Sequence, residues 1–445
     1  MRNQKREGGF TLVELIITMT IFVIVIAATA QVFTALISQF KQQSKIAETN
    51  TEGIVGLEIL RRDLSQAGIG LPWTMNSCGY SEAAHDYTNP WVDTDLNDGP
   101  PDNPARAGLA PPGGSDTAGA SNAPAPFRSL IGVGISASSG TSIIPNSSAD
   151  VLVIKSAPIA MNDAAQKSTY IVNLGGLNNT MKRWNTILPQ PWNTVNADDL
   201  AASDNIIILN PSDGTSSNIL QNDGARCWTT LGIPTFSWFS NSAHSGLEPQ
   251  SYSNGRFTVY GISQVGSYPR MPFNRADFYV KRPTTGMPSR CAPNTGILYK
   301  GTINHSDGAH SEMPLLDCVA DLKVDFFLDT DGDGSINWSP TVAPYSPTNN
   351  LSAMTAAQVR NQVHEVRVYI VAHEGQKDTN YDFSLNNTRT SLNAIEINPA
   401  TPDPTVTANS RTFATVNLKN LVGNPEYKYY RWKLYTLIVR PNSMR

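Results

Sequence analysis

Charge is scarce in this chain. Of its 445 residues only 16% are charged, Lys+Arg total 33 against 37 Asp+Glu, and the formal net charge is −4. There is no basic excess to hold a nucleic-acid backbone, so no nucleic-acid partner is expected. Cysteine is nearly as rare: Cys78, Cys227, Cys291 and Cys318 form no CxxC and no zinc spacing with histidine. The six histidines include no HExxH, and no serine sits in a GxSxG elbow. Nothing pairs a nucleophile with a base at recognisable spacing, which argues against an enzyme. The glycines of Gly132-Val133-Gly134 precede a strand instead of opening a helix, so they do not make a dinucleotide loop. The aromatic and basic run from Tyr427 to Tyr435 reads more simply as a half-buried sheet face than as a nucleic-acid patch.

What the chain does have is one long apolar run. A short leader, residues 1–9, carries Arg2, Lys5 and Arg6 against Glu7 and ends in Gly8-Gly9. From Phe10 to Phe40 the only charge is Glu14. As a helix this run would reach roughly 46 Å at about 1.5 Å per residue, against roughly 30 Å of hydrocarbon. A single-pass anchor with its basic flank in the cytoplasm follows. A cleaved secretory signal does not, because the run is too long and the Gly-Gly precedes it. A carboxylate inside such a run costs several kcal/mol in lipid unless paired, so Glu14 is a functional candidate. Cleavage after Gly9 would supply a partner, the new amine of Phe10, in its own chain or in a neighbour.

Gly9-Phe10-Thr11-Leu12-Val13-Glu14 resembles the class III signal of type IV pilins and type II secretion pseudopilins. The resemblance implies that a prepilin peptidase cuts after Gly9 and methylates Phe10, and that Glu14 aligns each subunit as it docks. It implies further partners: other major and minor pilins through the N-terminal helix, and an inner-membrane assembly platform. Leu60-Arg61-Arg62-Asp63-Leu64, the Leu315–Val319 stretch with its following strand, Val366-Arg367-Val368 and the terminal Val439-Arg440 together resemble PilW-like minor pilins. That branch implies a subunit acting in pilus initiation or at the tip. It would sit in the inner membrane with a periplasmic head and later reach the cell surface. A minor pseudopilin of type II secretion is the alternative, since the same leader serves both.

The rest of the chain reads as α+β, a long helix followed by a large, loop-rich, mainly antiparallel β domain. Beyond the 10–40 stem, residues 41–70 continue the helix as an amphipathic half, with Ile54, Leu57, Leu60 and Leu64 at three- and four-residue spacing. Gly53 and Gly56 weaken it and suggest a bend; Gly68, Gly70 and Pro72 end it near Ala67. Residues 71–149 are rich in Pro, Gly, Ser and Asn and read as a loop partly ordered by Cys78. Residues 150–445 carry the strands: Asp150–Lys155, Tyr170–Leu174, Ile206–Leu209, Phe257–Ile262, Gly296–Lys300, Val366–Ile370 and a terminal Tyr430–Arg440. Ala320, Leu322, Val324 and Phe326 alternate with Asp321, Lys323 and Asp325, which predicts a strand with one buried face.

Four exported cysteines allow two disulfides in three connectivities. The shortest separation favours Cys291–Cys318, leaving Cys78–Cys227. One constellation looks like a site. Asp329, Asp331, Asp333, Ser335 and Asn337, with Gly334 at the turn, match the first nine positions of an EF-hand loop over 329–337, a hard-oxygen pattern suited to Ca²⁺. Pro340 stands where the bidentate Glu belongs, and a strand instead of a helix leads in. A solvated strand-to-strand turn is the competing reading. Repulsion among three close carboxylates favours a cation.

Overall fold

In a computed structural model, the described residues are 11–73, 80, 82–83, 123–137, 144–173, 179–182, 200–201, 204–211, 217–219, 228–230, 256–264, 269–336, 351, 354–386, 394–397 and 414–443. Helix α1 spans Leu12–Ser65, 54 residues, about 81 Å at 1.5 Å per residue. Its first half projects from the rest: Leu12, Ile16, Phe22, Ile26 and Phe33 are all more than half exposed. Its second half turns amphipathic, and Leu57, Leu60 and Leu64 enter the main core. Each fully buried leucine contributes roughly 1.5–3 kcal/mol, which fixes this half on the sheet. The helix runs unbroken through Gly53 and Gly56. They serve close approach: a Cβ on Gly56 would lie 1.9 Å from the Leu315 carbonyl oxygen.

After Ser65 the chain turns at Gly68 and Gly70, both at positive φ, +80° and +73°, where a Cβ would be strained. The Gly68 N–H donates to the Lys155 carbonyl at 2.9 Å, and the Ala157 N–H to that of Ile69 at 2.8 Å. The end of the helix is thereby tied to the end of the Val151–Ser156 strand.

Strands are numbered in chain order. The first three are β1 (Phe127–Leu130), β2 (Ser136–Ala137) and β3 (Val151–Ser156). A second group comprises β4 (Ser168–Asn173), β5 (Asn179–Lys182), β6 (Asn205–Pro211), β7 (Ser217–Ile219), β8 (Thr229–Thr230) and β9 (Arg256–Ser263). Then come β10 (Asn274–Arg282), β11 (Gly296–Ile303), β12 (His310–Leu328), β13 (Val363–Glu374), the β14 (Ala394–Ile397) and β15 (Ala414–Asn417) hairpin, and β16 (Arg431–Val439). The main sheet has the order β1-β3-β10-β11-β12-β13-β16, with β2 alongside β10. All its pairs are antiparallel except β2 with β10. A second antiparallel sheet, β5-β4-β9-β6-β7 with β8 on β6, meets the first through Leu71, Ala157, Ile207, Ile262 and Phe273. The architecture is the α+β layout expected from the sequence.

Two expectations need correction. Asp321, Lys323 and Asp325 do not face water: they are 3%, 7% and 7% exposed. The chain just before β3 covers that face. Ser148 Oγ donates to Asp321 at 2.9 Å, and Lys323 Nζ reaches Asp150 at 3.2 Å. Asp325 stands opposite Arg367 in the ladder. Alternation marked the two faces correctly, but here the charged face is neutralised and buried, which pairing permits. The second correction concerns 71–149, read as loop. Phe127–Leu130 is the edge strand of the main sheet, in register from Phe127↔Ile154 to Leu130↔Val151, and Ala125 and Phe127 are fully buried. A short apolar run inside Pro- and Gly-rich sequence carries too little periodicity to stand out.

Candidate functional site

The helix opens where the sequence places the assembly residues. Thr11 is the N-cap of α1, and Glu14 closes a capping box with it. The Thr11 N–H and hydroxyl both donate to Glu14 Oε2 at 3.0 Å, and the Glu14 N–H returns to Thr11 Oγ1 at 3.3 Å. The carboxylate therefore sits at the positive end of the helix and satisfies N–H groups that would otherwise lack partners. Gly9 and Phe10 lie outside the described residues. Behind Glu14, Leu12–Ala47 is long and apolar enough to cross a membrane, and none of its most apolar stretch is covered by the rest of the chain. Thr18, Thr20, Thr29 and Thr34 hide their hydroxyls on carbonyls three and four residues back, at 2.7–3.0 Å. With Gln31 the exposed amide among them, these turns present a largely apolar surface suited to lipid or to other helices.

Where this stem meets the head, a buried ion pair locks it. Asp63, on α1, receives Lys300 Nζ from β11 at 2.6 Å; Lys300 also donates to the Ile159 carbonyl at 2.9 Å. Both side chains are nearly inaccessible, 5% and 3% exposed. Burial raises the Asp63 pKa above the ordinary carboxylate value, with Lys300 opposing.

A second buried set straps residues from the 71–149 segment to the sheet. Glu82 holds Lys155 at 2.7 Å and Arg275 at 2.9 Å; Arg275 is bidentate to Asp277 at 2.7 and 2.8 Å; His310 reaches Asp277 at 3.0 Å. Burial opposes both charges of the Arg275–Asp277 pair, yet the pairing wins, pulling Asp277 down to about 2 and raising Arg275. Neither set was foreseen from the sequence. The one available signal was a lysine, Lys155, closing an otherwise apolar run.

In the head, Cys291 and Cys318 form the expected disulfide, with Cα atoms 4.8 Å apart and 27 residues of separation. Closing such a loop contributes about 3–4 kcal/mol in chain-entropy terms. Cys318 has φ +58° and sits where β12 changes register against β11 and β13. His373 lies against the bridge; its Nε2 accepts the Ala292 N–H at 2.8 Å, and burial drives its pKa down to about 3. These sulfurs are bonded to each other and so are not thiolate ligands. Cys78 and Cys227 lie outside the described residues.

The acidic loop leaves the end of β12. One oxygen from each of Asp329, Asp331 and Asp333 lies within 4.8 Å of the others. Gly332 and Gly334 take φ +76° and +82°, so the backbone folds back on itself. Asp329 accepts N–H groups from Gly332 at 2.7 Å and Gly334 at 2.8 Å, and Asp333 accepts that of Ser335 at 2.7 Å. Desolvation opposes ionisation of Asp329, but these donors hold its pKa below the ordinary value. The three carboxylates are brought together as the spacing implies, and their hard oxygens fit a cation of the Ca²⁺ class. Asn337 and Pro340 lie outside the described residues.

Comparison with known families addresses both ends of this geometry. The model of the prokaryotic N-terminal methylation motif matches residues 4–30, the leader and the first turns of the stem. The model of type IV pilus-assembly protein W matches residues 277–420, from β10 through the disulfide and acidic loop to the helical turn after β15. No curated protein and no solved structure matches the chain. With a methylation motif on an exposed apolar helix and a pilus-assembly match across part of its sheet, the chain is similar over these two stretches to type IV pilin-like and PilW-like proteins.

Proposed function

We propose that the protein is a minor pilin-like subunit of a type IV pilus, cut after Gly9 and N-methylated at Phe10, acting in assembly initiation or at the tip. The observation that carries this reading is the union, in one chain, of an uncovered helix opening on Thr11 and Glu14 with the pilus-assembly match over the sheet. Its mechanism is assembly, not turnover. The stem is held in the inner membrane, head in the periplasm, until the platform lifts it into a bundle of other pilin stems. Glu14 then exchanges its Thr11 contacts for the Phe10 amine of a neighbour. That exchange sets the axial register of each subunit, because an unpaired carboxylate in an apolar bundle is costly. A type II secretion pseudopilin would share the stem and is the alternative; copurification with pilus fibres or with a secretion machine separates the two.

The loop of Asp329, Asp331 and Asp333, with Ser335 and Asn337, takes Ca²⁺ in this reading and orders the end of β12. A Glu14→Ala variant of the full chain is expected to insert in the membrane at normal levels and to vanish from sheared fibres. Normal amounts in fibres would contradict the assigned role.

A further inference from the structure

We infer that the hollow between α1 and β12 seats the apolar N-terminal helix of a neighbouring pilin-like subunit, so that the head grips its neighbour as well as the stem. The inference rests on the pilin reading above and adds a specific place on the head to it.

The hollow has a volume of about 510 Å³ and is lined by Gly53, Val55, Gly56 and Ile59 of α1 and by Pro314 and Leu316 of β12. Its origin is in the sequence. Gly56 lets the helix backbone touch the Leu315 carbonyl, and a Cβ on Gly53 would stand 3.0 Å from Leu316 Cδ1. At these bare positions the helix backbone lies directly against the strand, and the hollow opens beside that contact, along Thr51, Val55 and Ile59. Ile54 and Val55 stand beside it, 58% and 59% exposed, and Pro314 is exposed on the far wall.

Three arguments choose the occupant. The first is continuity. Thr51, Val55 and Ile59 are four residues apart and so share one side of the helix. The same row runs back through Ala47 and Ser44 to Phe40, Ile37 and Phe33, which are 71%, 40% and 62% exposed. The hollow is thus in line with the uncovered stem surface, beyond the polar turns from Lys41 to Glu52. The second is charge. Among the described lining residues the one carboxylate, Asp317, is held by Arg290 at 2.8 Å. The stem of this chain has no ionisable residue between Glu14 and Lys41, the composition such a hollow accepts. The third is distance. Val55 lies roughly 22 Å along the helix beyond Phe40, at 1.5 Å per residue. With the stem in the bilayer, that is clear of the hydrocarbon, so acyl chains do not reach it. A neighbour's stem does, once displaced along the axis by about that length.

Site-specific cross-linking tests this in the full chain, in cells that assemble the fibre. A photoreactive benzoylphenylalanine replaces Val55 in one variant and, as a control, Leu385, which is 82% exposed and does not line the hollow. Peptides joined to it in sheared fibres are read by mass spectrometry, along with the N-terminus of the chain. The expected result is a peptide from the apolar N-terminal helix of a pilin-like subunit at position 55 and none at 385. In fibres where the chain starts at Phe10, adducts at 55 only with heads, only with lipid, or with nothing would overturn the inference and leave the assembly reading standing. Absence of the wild-type chain from fibres would bring down both. Val55→Glu, at an exposed position that folding tolerates, should reduce incorporation severalfold at unchanged membrane level; unchanged incorporation also overturns the inference.

Discussion

The junction of stem and head can be broken with one substitution. Asp63→Ala leaves the Lys300 ammonium buried with only the Ile159 carbonyl as a described partner. Removing one member of a buried pair typically costs about 3–5 kcal/mol, since the remaining charge is neither solvated nor compensated. Total stabilities are about 5–15 kcal/mol, so this is a large share of what holds the head together. At roughly 2 °C per kcal/mol for a large domain, the melting midpoint should fall by about 6–10 °C. The double variant Asp63→Leu/Lys300→Met removes both charges and keeps the volume; most of the loss should return, because an apolar pair is close to neutral against a buried ion pair. The assay is thermal unfolding of the full chain in detergent with the disulfide intact, followed by tryptophan fluorescence. A loss under about 1 kcal/mol for Asp63→Ala, the size of a solvated surface pair, would refute the reasoning. So would a double variant no better than the single one.

Two further outcomes can be checked separately. Burial, against Lys323 and Ser148, pushes Asp321 up to about 6 in the folded state from 3.8 unfolded. The folded form then keeps a proton that the unfolded form has lost, so this residue's contribution to stability falls as pH rises from about 4 to about 6. At 1.36 kcal/mol per unit the swing is at most about 3 kcal/mol. Asp321→Asn should therefore flatten the pH dependence of the melting midpoint over that window, and an unchanged profile would count against the assignment. Calcium titration by calorimetry should show binding that is lost in Asp331→Ala and Asp333→Ala; binding retained in both variants removes the cation from the account.

The stem was readable because it breaks every ordinary rule of a soluble helix: apolar all round, then amphipathic, then stopped by glycines. The buried Leu57, Leu60 and Leu64 follow from spacing alone, and Gly68, Gly70 and Pro72 put the helix end within two residues of Ser65. The strands of the main sheet were readable where β-branched and aromatic residues alternate, as in 320–326 and 366–370. What escaped was long-range charge. Asp63 and Lys300 are 237 residues apart, and Glu82 and Arg275 are 193 apart. Each alone looks like a solvated residue, and only the fold shows that its partner arrives in the same buried place. The β1 edge strand escaped for the opposite reason, its four residues being hidden in proline- and glycine-rich surroundings. Gly53 and Gly56 looked like a weakness in the helix, because the strand that needs their bareness lies some 260 residues further on.

The central claim, that this chain is processed and built into a fibre, is tested most directly by mass spectrometry of its N-terminus in membranes and in sheared surface fibres. The expected result is a methylated Phe10 start in the fibre fraction. An intact Met1 leader in both fractions would reduce the stem to a plain membrane anchor and contradict the account.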